Sequence, residues 1–81
     1  MSTTNTSIPA GVWVEVVSAD SGQGSLTNSS SKVIEVAFSN SQPSLLGHEV
    51  LPGAGFNFRV TTEAMWVCCR KAEATVVVTL W

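Results

Sequence analysis

From Gly11 onward, apolar and polar side chains alternate with a period of two, the repeat of strands with one buried face. Val12, Val14 and Val16 alternate with Trp13, Glu15 and Val17, which predicts a first strand over 11–18. Residues 19–24 contain Asp20, Gly22 and Gly24 and predict a turn. A short strand over 25–28 and a Ser-rich turn follow. Ile34, Val36 and Phe38 then oppose Val33, Glu35 and Ala37, a strand over 32–39. Pro43 ends any continuous strand, and Leu45 and Leu46 fall in the loop before a short strand over 48–51. Pro52-Gly53 suits a tight turn, with Pro presetting φ and Gly accepting a positive one. Phe56, Phe58 and Val60 mark a fifth strand, residues 65–70 a sixth and residues 74–80 a seventh. No stretch carries the i, i+3, i+4, i+7 repeat of an amphipathic helix.

Seven short strands with a turn signal in every gap predict an all-β fold. The expected architecture is one small antiparallel β-sandwich or barrel over residues 10–81, with gaps short enough for hairpins. Residues 1–9 are polar up to Ile8 and Pro9 and offer little apolar surface to bury. They read as a flexible N-terminal arm, ordered when a partner receives it.

Composition narrows the function. At 81 residues, the chain buries only about 60% of the surface its unfolded form exposes, so its own core leaves little margin. Charged residues make up 12% of the chain, about half the usual share, and the net charge is −2. Four basic residues do not make a nucleic-acid footprint. No apolar run reaches the ~20 residues of a membrane helix. The first residues lack the basic and apolar regions of a signal peptide, so use in the producing cytoplasm, or exit by a route other than general secretion such as lysis, is expected.

The chemistry-bearing residues are few. His48 is the one histidine, no serine sits in a nucleophile elbow, and Gly22-Gln23-Gly24 and Gly53-Ala54-Gly55 precede no helix. Catalytic residues, cofactors and metal ligands are therefore not expected, and the chain reads as a non-enzyme. His48 is expected to pin its loop by hydrogen bonding. Cys68 and Cys69 are adjacent within one strand, so their side chains point to opposite faces and do not pair with each other.

What remains is apolar surface. Trp13 shares a face with Glu15, and Trp66 shares one with Cys68 and Arg70, so both indoles belong to outer faces if Val12, Val14, Val16, Met65, Val67 and Cys69 line the core. Trp13, Leu45, Leu46, Trp66, Leu80 and Trp81 are the candidates for a subunit interface. Sheet edges with few lysines add to the case for association between copies, with a homotrimer as the expected form.

The strand and turn series resembles that of small structural proteins of tailed bacteriophages. The similarity lies in Val12–Val16, the strand Val33–Ser39, Gln42-Pro43, Gly47-His48, the Pro52-Gly53 turn, Val60-Thr61, Trp66-Val67 and Ala74–Thr79. The turn at 71–73 lacks the glycine of that pattern. The resemblance implies a virion protein, first a capsid decoration (cement) protein bound to the major capsid protein, with a tail or head-fibre component as the runner-up. Its location would be the virion, after synthesis in a host cytoplasm. A carbohydrate- or receptor-binding module that stacks a sugar on Trp13 or Trp66 is the alternative from a different class.

Overall fold

The computed structural model of the chain describes residues 2–20, 22–43 and 47–81. Eight strands form: β1 (Ser2–Ile8), β2 (Val14–Val17), β3 (Gly22–Asn28), β4 (Ile34–Ser39), β5 (His48–Val50), β6 (Gly55–Val60), β7 (Ala64–Cys68) and β8 (Ala74–Leu80). They make two four-stranded antiparallel sheets, β1-β8-β3-β6 (sheet I) and β2-β7-β4-β5 (sheet II). The fold class is therefore all-β, as the alternation predicts.

The pairing is β1 with β8, β2 with β7, β3 with β6 and β4 with β5. This is the pattern of one long hairpin, tipped at β4–β5 and rolled so that β3 also meets β8 and β4 also meets β7. Two four-stranded sheets with this order are a jelly roll. Short gaps suggested local hairpins, but β4–β5 is the one consecutive pair that bonds directly. Every other connection between successive strands changes sheet.

The core lies between the sheets. Sheet I contributes Ile8, Leu26, Phe58, Val60, Val76 and Val78, and sheet II contributes Val17, Ile34, Val36, Val50, Met65, Val67 and Cys69. Burying a Val, Leu, Ile, Phe or Met side chain stabilises by about 1.5–3 kcal/mol each. Leu51–Ala54 closes as expected, with Ala54 N–H donating to Leu51 O and Gly53 at φ +78°.

Three expectations need correction. Residues 2–8 are not a loose arm but edge strand β1, paired residue for residue with β8 from Ser2–Leu80 to Ile8–Ala74. Thr is a good strand former, and β8 supplies a full row of backbone partners, so a polar segment pairs without an apolar face of its own. Strand β3 starts at Gly22, inside the predicted turn; a Cβ on Gly24 would run into the backbone oxygen of Thr79, so glycine is what lets β3 and β8 approach there. Finally, Val12 is exposed, and Val17 rather than Val16 faces Met65, because the ladder shifts register between Glu15 and Val17. That bulge adds one residue and reverses the alternation beyond it.

Candidate functional site

The interior offers no site among the described residues. Its one buried polar side chain is Asn28, which is fully used: Nδ2 donates to Lys32 O (2.6 Å) and Val50 O (3.0 Å), and Oδ1 accepts from the Ser30 N–H and hydroxyl. This amide ties β3 of sheet I to the turn before β4 and to β5 of sheet II. No group of three or more His, Cys, Asp or Glu that could hold a metal gathers among the described residues.

The outer face of sheet II is more structured. Glu49, Glu35 and Cys68 lie in one row across β5, β4 and β7, and Trp13 continues it just before β2. Two carboxylates directly opposite one another repel. Here Glu35 Oε2 accepts from Arg70 Nε (2.5 Å), and Oε1 accepts from Gly47 N–H (3.0 Å). The Arg70 hydrogen bond holds the Glu35 carboxyl below its ordinary pKa against the opposing effect of burial, helped by the Gly47 N–H. The same guanidinium stands 5.9 Å from the centre of the Trp13 ring, in range for a cation–π contact. Glu35, Arg70 and Trp13 therefore form one ionic and aromatic pin joining β4, the end of β7 and the segment before β2.

The sequence-derived interface candidates separate on this framework. Trp13 is on the outer face as expected but only 9% exposed, closed over by Arg70 and by Gly47, whose Cβ position lies 3.0 Å from the indole. Trp66 is half-buried, and its indole N–H donates to Ser39 O at 3.1 Å. Leu80 packs partly against the core, while Trp81 is 51% exposed, with its backbone N–H donating to Gln23 O. Leu45 and Leu46 lie outside the described residues. Cys68 and Cys69 point to opposite faces and both are buried; burial pushes the Cys68 thiol pKa up. His48 is exposed on β5 and makes no side-chain hydrogen bond among the described residues; Glu35, through Gly47, holds that approach instead.

Two features were not legible in the sequence. One is the open edge of β1. The other is an open groove of about 510 Å3 at the end of sheet II, lined by Ser31–Val33, Glu35, Glu49, Pro52 and Cys69–Lys71. A charge count shows the four basic residues, but only the β4–β7 register brings three of them together.

No family model and no curated protein matches this chain. Among solved structures it is similar to NovW, a 4-keto-6-deoxy sugar epimerase from the novobiocin biosynthetic gene cluster of Streptomyces spheroides. The TM-score is 0.61 at 13% identity over 96% of this chain, which spans 44% of the length of that one. Likeness at this identity shows the fold alone. It corrects the virion expectation: a solved structure sharing the fold is a sugar epimerase, and no match named here places the chain in a capsid, tail or head fibre. The sugar-stacking alternative is corrected as well, since Trp13 is covered and Trp66 is half-buried with its indole N–H bound.

Proposed function

We propose that the chain is a non-catalytic assembly module that joins a second copy of itself through strand β1. The observation that carries this reading is the edge itself. β1 is seven residues long, contains no charged residue and no proline, and faces no strand on its outer side among the described residues. A long uncharged edge is a template for pairing with another chain. The other three edges are guarded. β2 is four residues with a bulge and Glu15; β5 is three residues with His48 and Glu49; β6 carries Arg59.

An edge that pairs with its own copy in antiparallel fashion does so about a two-fold axis, giving a dimer where the sequence suggested a trimer. Sheet I would then continue across the axis as eight strands. Each new backbone hydrogen bond contributes about 1 kcal/mol net, and several are needed to offset the lost freedom of association.

Sedimentation equilibrium tests the reading. A dimer is expected at micromolar concentration, with Thr3→Lys/Asn5→Lys, both exposed on β1, raising its dissociation constant at least about tenfold through like-charge repulsion. A wild-type monomer up to about 100 μM, meaning an association free energy weaker than about −5.4 kcal/mol, would overturn it.

A further inference from the structure

The groove at the end of sheet II holds Lys32, Arg70 and Lys71, three of the four basic residues of a chain whose net charge is −2. Its two carboxylates do not neutralise them equally. Glu35 is engaged by Arg70 and Gly47, while Glu49 is exposed on β5. Lys32 and Lys71 make no salt bridge among the described residues. Their placement follows from register. The last pair of the β4–β7 ladder is Glu35–Cys68, and Lys32 and Lys71 lie just beyond it, both lining the groove. Like charges gathered in one groove repel unless a counter-charge lies between them.

The backbone that presents Lys32 is fixed: buried Asn28 Nδ2 donates to its carbonyl, and its N–H donates to the Ser30 hydroxyl oxygen. Beside the ammonium groups the wall is apolar, formed by half-exposed Val33 and by Pro52. The volume of about 510 Å3 falls in the range of small-molecule sites.

We infer that this groove binds a small organic anion with an apolar body, such as a medium-chain carboxylate. Lys32 and Lys71 take the anionic head, and Val33 and Pro52 take the hydrocarbon. A polyanion does not fit, because Glu35 and Glu49 share the lining and two uncommitted cations make too small a footprint. The inference is independent of assembly through β1.

The test is a titration of isotope-labelled full chain with sodium octanoate, followed by backbone amide shifts. Saturable shifts are expected at residues 31–33 and 69–71, with a dissociation constant below about 1 mM, and the neutral octanamide should bind at least about tenfold more weakly. Lys32→Gln/Lys71→Gln should weaken octanoate at least about tenfold, while Arg59→Gln on β6 leaves it unchanged. Both lysines are exposed, so the double variant is expected to fold, and its amide spectrum checks that directly. Shifts that fail to saturate, fall elsewhere on the surface, or persist with the same affinity in the double variant would overturn the assignment.

Discussion

Sheet I turns Thr3, Thr79, Ser25 and Asn57 outward in one row across four strands, and Asn5, Val77, Thr27 and Gly55 in the next. Sheet II turns out Glu49, Glu35 and Cys68, with Trp13 and Arg70 beside them. The first face carries small side chains and, among the described residues, the single charge of Arg59, and its side chains meet through the Thr3–Thr79 hydroxyl contact at 3.0 Å and the Arg59 donation to Gln23 Oε1 at 3.4 Å. The second is a packed layer in which a salt bridge, a backbone N–H and an indole fix one another. Two sheets of one sandwich thus use their outer faces differently: sheet I leaves its edge open and its surface bland, whereas sheet II spends its few charges holding loops in place.

The largest effect should come from the inner side of sheet I. Gly24→Ala sets a Cβ against the Thr79 backbone, which has no flexible end to move, and should destabilise by about 3 kcal/mol in denaturant unfolding. If the loss is below about 1 kcal/mol, β3 and β8 are not as closely joined as described. Asn28→Ala comes next, at about 2 kcal/mol, because the backbone oxygens of Lys32 and Val50 lose a buried donor. It should also loosen residues 29–32, visible as faster amide exchange there.

Glu35→Gln probes the outer face of sheet II and should lower Tm modestly at neutral pH, since the Arg70 partner is largely in water. A depressed carboxyl pKa contributes stability that is present above the ordinary value of 4.5 and is lost as pH falls through the lower folded value. The Tm gap between wild type and Glu35→Gln should therefore close in acid, and a gap independent of pH would show that the pin is not ionic. Thr79→Val on sheet I should shift stability by no more than about 0.5 kcal/mol at any pH. A larger change would mean that the hydroxyl row holds sheet I as the ion pair holds sheet II.

Much of this contrast can be followed back to the chain. The period-two alternation marks β2 to β8, and the shared face of Trp66, Cys68 and Arg70 follows from strand geometry. β1 escaped because both its faces are polar, so no periodicity distinguishes it from a disordered tail; its four-residue run from Thr3 to Thr6, rich in β-branched Thr, was the available signal. The bulge at Val16 escaped because an extra residue leaves an uninterrupted apolar run unchanged. The burial of Trp13 depends on Arg70 and Gly47, which lie far from it in sequence.

The sequence by itself determined that this protein is all-β, where most strands lie, which side chains share a face, and that a tight turn forms at Pro52-Gly53. These are local properties, set by steric preference and by a side-chain period that needs no partner. Only the tertiary structure decided which strands pair, that β1 closes on β8, and that Lys32 and Lys71 line one groove at the end of sheet II. Pairing joins residues as distant as Ser2 and Leu80, and its choice rests on filling one common interior rather than on any signal within a strand.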